Sequence, residues 1–114
     1  MKRVLILALL ALPATAGPPS TCGGTDEYSR ALCAYQRRDF QAAEKLLGGI
    51  IEAGRSDPQT MKARYFLGRT LMKRGQFAEA ADVFIRIYKD DKPFYHAWNC
   101  DFLLGECRRA LGKS

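Results

Sequence analysis

Apolar side chains recur at helical spacing through most of the chain. In the stretch from Tyr65 to Pro93, Leu67 and Leu71 form one apolar stripe and Phe84 and Ile87 another, the spacing of two amphipathic helices. Gly68 and Ala80 are small enough to let the pair approach closely, and Gly75 between them suits a tight left-handed turn. Upstream, Thr25 caps a helix with Asp26 and Glu27 in its first turn, running through Tyr28, Leu32 and Tyr35 to about Arg37. Asp39 starts a partner with an apolar face of Phe40, Ala43, Leu46, Leu47, Ile50 and Ile51. Gly48 and Gly49 interrupt that face at a cost of about 1 kcal/mol each relative to alanine, and close packing against a neighbouring helix is the expected reason. Asp57-Pro58 is a helix start signal, predicting helices to Arg74 and from Phe77 to about Lys89. Asp90 to Pro93 breaks the chain. The last segment, Phe94 to Leu111, is apolar at Phe94, Trp98, Phe102, Leu103 and Leu111, with Arg108, Arg109 and Lys113 near its end and Gly112 as its stop. Period-two alternation is absent, so the expected fold is all-α with five helices.

The pattern repeats. A shift of 37 places superposes Ala31, Gly68 and Gly105, and likewise Arg38, Gly75 and Gly112. It also aligns Tyr28, Tyr65 and Phe102; Phe40 and Phe77; Ala43 and Ala80; Leu47 and Phe84; Ile50 and Ile87. On these residues (Leu-Gly, Gly-x-Phe, Ala and a late Pro) the chain resembles the tetratricopeptide repeat, a helix–turn–helix unit of roughly 34 residues. The extra residues are expected in the loops Arg55–Asp57 and Asp90–Lys92, where insertions cost little. The resemblance implies a short helical solenoid over 25–114: two repeats and a closing C-terminal helix.

The first residues break the pattern. Lys2 and Arg3 precede an apolar run from Val4 to Leu12, followed by Pro13 and the small-x-small triplet Ala14-Thr15-Ala16. That order predicts a cleavable leader over 1–16, cut after Ala16, and the run is shorter than the ~20 apolar residues of a membrane span. Residues 17–24 read as a flexible lead-in. A periplasmic or secreted location follows, bacterial in style, with a lipid anchor on Cys22 as a weaker alternative because Pro19-Ser20-Thr21 makes a poor lipidation signal.

Without the leader about 100 residues remain, enough for one modest domain. The whole chain carries 18 Lys and Arg against 12 Asp and Glu, a net +6, two of these charges being Lys2 and Arg3. Such a bias is too mild and too dispersed for nucleic-acid binding. Four cysteines, Cys22, Cys33, Cys100 and Cys107, suggest disulfides in an oxidising compartment, with three connectivities open. Local pairs, Cys22–Cys33 and Cys100–Cys107, are the first expectation. On a regular helix the latter two would lie about 10.5 Å apart, beyond bridging reach, so they can pair only if Asn99–Asp101 is not helical.

Nothing in the chain spells out catalysis. His96 stands alone beside Tyr95 and Trp98, the glutamates are scattered, and neither a phosphate loop nor a metal motif occurs. No enzyme activity, metal or cofactor is expected. In the resembled family the first helix of each unit lines a concave, peptide-binding face. Carried onto this sequence, that face comprises Tyr28 and Tyr35 in unit one, Lys62, Tyr65, Arg69, Met72 and Lys73 in unit two, and Phe102 and Arg109 in the closing helix. Tyr28, Tyr65 and Phe102 are expected in a row, flanked by Lys62, Arg69, Lys73 and Arg109, an arrangement suited to an acidic peptide or protein partner with apolar anchors. Leu32 and Arg69 stand where the family's carboxylate-clamp members carry asparagine, so that kind of clamp is not expected. The alternative is self-association, because two and a half repeats leave end faces bare.

Overall fold

The computed structural model describes residues 22, 24, 26–54 and 57–112. The expected leader and its cut after Ala16, most of the lead-in, the Thr25 cap, Arg55, Ser56 and Lys113 lie outside the described residues. Among those described, the fold is all-α with six helices: α1 (Glu27–Gln36), α2 (Phe40–Glu52), α3 (Pro58–Lys73), α4 (Phe77–Asp90), α5 (Lys92–Ala97) and α6 (Cys100–Ala110). Helix α1 packs on α2, α3 on α4, and α2 on α3, while α6 closes the stack against α4 with α5 beside both.

The start signals act through side-chain caps. The Asp39 carboxylate accepts from the Ala42 amide, and Asp57 from that of Thr60 with Pro58 in the first turn, so each satisfies a donor that the helix leaves unpaired. First helices end alike in each unit. Arg38, Gly75 and Gly112 all have left-handed backbones, with φ of 66°, 79° and 78°, and Asp39 and Gln76 return their amides to Ala34 and Leu71 at 2.9 Å. These are six-to-one Schellman closures, and Arg38 holds a conformation that glycine adopts without strain.

Burial follows the same register. Ala43, Leu47 and Ile50 form the core of unit one, and their counterparts Ala80, Phe84 and Ile87 that of unit two, with Phe66 and Leu67 touching both clusters. Gly68 lies under the Phe84 ring: a Cβ there would come 2.6 Å from Cζ. Close approach of α3 and α4 thus requires glycine at this position. Gly48 and Gly49 differ from expectation, because a Cβ at either would meet nothing within 4 Å. They lie on an open side of α2, and helix packing does not account for them.

The closing segment also differs. It is two helices rather than one, making six in place of five. Asp91 accepts from the Phe94 amide at 3.0 Å and starts α5, and Pro93 sits in the first turn. Trp98 and Asn99 then turn the chain, Asn99 adopting φ 58°, a conformation its short polar side chain tolerates.

The cysteines divide. Cys22 and Cys33 are bridged, their Cα atoms 5.4 Å apart, which ties the lead-in to α1. Cys100 and Cys107 are separate buried thiols, correcting the expected second bridge. Cys100 is the first residue of α6, so both lie on one regular helix, two turns apart, which holds their sulfurs out of reach.

Candidate functional site

The nine residues expected to share a face lie on α1, α3 and α6, and Arg69 links two of them. Arg69 Nη1 donates to the Tyr65 hydroxyl at 3.1 Å, and its guanidinium stands 5.9 Å from the Tyr35 ring centroid and 5.8 Å from that of Tyr65. Burial opposes its charge, but the Tyr65 hydrogen bond and the Tyr35 hydroxyl raise its pKa above the ordinary guanidinium value. Arg69 is therefore a fixed, half-buried cation. Lys73 is exposed one turn further along α3, and Lys62 and Met72 are half-buried.

The expected aromatic row does not form. Tyr65 is only 9% exposed, its ring packed edge-on against Phe66 at 5.0 Å and Trp98 at 4.9 Å. Tyr35 is likewise tied to Phe40 and Phe66, and Tyr28 packs half-buried on the first core cluster. Phe102 is 59% exposed and shares no ring contact with Tyr65 among the described residues. The shift that aligns Tyr28, Tyr65 and Phe102 preserves their place in the repeat but not their surroundings: Trp98 packs on Tyr65, and no ring among the described residues does the same for Phe102. Arg109 pairs with Glu106 on its own helix. Of the nine residues expected on this face, the structure brings Tyr35, Tyr65 and Arg69 together, while Lys62, Met72 and Lys73 share only the helix α3 with Arg69.

A second concavity was not foreseen. A cleft of about 800 Å³ opens where α2 and α4 end and α3 and α5 begin. Ile51, Met61, Phe94 and Trp98 form its apolar wall, each still partly exposed. Phe94 and Trp98 stack with centroids 4.8 Å apart. Three carboxylates line it, and the chain uses each of them. Asp57 takes the Thr60 amide and hydroxyl, both at 3.0 Å; Asp91 caps α5; Asp90 binds Arg64 at 2.6 Å and Arg86 at 3.1 Å. These arginines hold the Asp90 carboxyl below the usual carboxylate range. Lys62 is the one residue common to this cleft and the expected groove. The start signal in Asp91-Lys92-Pro93, so like Asp57-Pro58, was the clue to α5 and hence to the cleft.

No group of three His, Cys, Asp or Glu able to hold a metal occurs among the described residues. No helix among them is long and apolar enough to cross a membrane. A family model described as tetratricopeptide repeat matches residues 28–96 and, in a second placement, 65–113. No curated protein and no solved structure matches the chain.

Proposed function

We propose, for a chain that belongs to the tetratricopeptide repeat family, that it is an exported adaptor binding a peptide or protein partner on the concave surface of α3. Repeats of this family generally mediate protein–protein interaction, and that much holds for the chain as a member. The observation that carries the finer reading is Arg69: a half-buried cation aimed by Tyr65 and flanked by Tyr35, on the same helix as half-buried Met72 and exposed Lys73. A preorganised cation with an apolar neighbour suits an acidic partner, and it sets association rate and specificity more than raw affinity.

Export is supported by the leader-like order of residues 1–16 and by the Cys22–Cys33 bridge, since such bonds persist in oxidising compartments. The bridge also occupies the Cys22 sulfur, which a lipid thioether would need, and so speaks against an anchored form. Intact mass of the protein recovered from its own compartment tests cleavage after Ala16 and the state of Cys22.

For the binding face, a photo-crosslinker is placed at position 73 on α3 or at position 82 on α4, both exposed. Partner adducts should form from position 73 and not from 82, and Arg69→Glu should suppress them while the helical circular dichroism spectrum is retained. Adducts from position 82 alone would refute the concave-face reading. Tyr65→Ala is unsuitable here, because it would open the core.

A further inference from the structure

We infer that the cleft between α2, α3 and α5 is a docking site for a short acidic segment of a partner protein, anchored by one large apolar side chain. This rests on the adaptor reading and adds where, and by what chemistry, the partner is gripped. Two features of the cleft select the occupant. The first is its apolar wall: Ile51, Met61, Phe94 and Trp98 remain partly exposed although Ile51 borders the first core cluster and the other three the second. A stacked Phe94–Trp98 pair beside Met61 gives a flat, adaptable surface for a phenylalanine or leucine side chain.

The second feature is charge. By formal count the lining is balanced, with Lys62, Arg64 and Lys89 against Asp57, Asp90 and Asp91. Connectivity distinguishes the two signs. Asp57 and Asp91 face the amides at the starts of α3 and α5, where the positive helix ends offset part of their charge, and Asp90 is shared by Arg64 and Arg86. Lys62 and Lys89 have no hydrogen-bond or ion-pair partner among the described residues, so two ammonium groups border the apolar wall without a direct partner. An incoming carboxylate gains both without displacing an internal pair, whereas a basic segment would face them with no free acid to meet it.

The cleft supplies its own reporter, because Trp98 is the chain's one tryptophan. The probes are acetylated octapeptides of Asp and Glu around a central Phe-Leu, and the same peptides with Lys in place of the acids. Titrated into the purified protein at low salt, the acidic peptide should shift Trp98 emission saturably and the lysine peptide should not. The change Lys62→Glu together with Lys89→Glu should weaken binding by about tenfold or more. Lys89→Glu alone, at an exposed position, should give an intermediate loss if the double variant folds poorly. Lys45→Glu, at an exposed position on α2 outside the cleft, should leave the titration unchanged.

Equal response to both peptides, no saturable response to either, or a loss confined to Lys45→Glu would overturn the inference. Adducts from position 73 accompanied by silence from Trp98 would overturn the cleft while leaving the concave-face reading intact. Cleft binding without such adducts would do the reverse.

Discussion

Gly68 and Gly105 occupy the same repeat position and should respond oppositely to the same substitution. At Gly68 an added Cβ would lie 2.6, 2.8 and 3.0 Å from Cζ, Cε1 and Cε2 of Phe84. Carbon atoms settle about 3.5–4.0 Å apart, so the ring would have to retreat by roughly 1 Å. Phe84 is fully buried in a core that is already packed, so it has nowhere to go. Overpacking of this kind costs about 1–3 kcal/mol, against a gain of up to ~1 kcal/mol for replacing a helical glycine. Gly68→Ala should therefore be less stable by roughly 1–2 kcal/mol, lowering Tm by about 4–8 °C per kcal/mol in a domain of this size. At Gly105 the added Cβ meets nothing within 4 Å, so Gly105→Ala should gain about 0.5–1 kcal/mol from helix propensity alone. Urea unfolding followed by far-ultraviolet circular dichroism, with the disulfide intact, measures both. A Gly68→Ala variant as stable as the parent, or a Gly105→Ala variant that loses stability, would refute the packing argument.

Three further outcomes are expected. Arg38→Gly should stabilise the protein by about 0.5 kcal/mol, the relief of a left-handed backbone exceeding the loss of the Arg38 cation–π contact with Phe40 at 5.8 Å; a lower Tm would count against it. Alkylation of the unreduced protein should find no reactive thiol in the native state and two after unfolding, because Cys100 and Cys107 are buried; rapid native labelling would show that α6 does not pack on α4 as described. Burial pushes the Cys100 thiol from 9.0 up to about 11, and burial with the Asp101 hydrogen bond pushes Tyr95 from 10.0 up to about 12. Above pH 9 the unfolded chain sheds protons that the folded one retains, so stability is full below that and declines as pH rises towards the folded values. Tm should fall across that window, and less so in Cys100→Ala.

Local rules were enough for much of the fold. The helix starts at Asp39 and Asp57 depend on a carboxylate reaching an amide three residues on, and the stop at Gly75 on a backbone that glycine adopts freely. Both are properties of a few neighbouring residues and are legible in the chain. So is the repeat, because its core positions, Ala43 with Ala80 and Leu47 with Phe84, must match in size wherever the same helix pair is built twice. The two-helix closing segment is legible too, because Asp91-Lys92-Pro93 carries the same kind of start signal as Asp57-Pro58.

Other features depend on what lies across a gap, and the tertiary structure alone decided them. Tyr65 and Phe102 share a repeat position, yet one is covered by Trp98 and the other faces outward, since burial depends on the next unit and not on the residue itself. Gly68 and Gly48 look alike in sequence; one lies beneath a ring and the other beside open space. The separate thiols at Cys100 and Cys107 were set by where α6 begins, which places both on one regular helix. The cleft required the ends of α2 and α4 to meet the starts of α3 and α5, and only then did the hydrogen-bonded aspartates and the lysines without a direct partner become distinguishable.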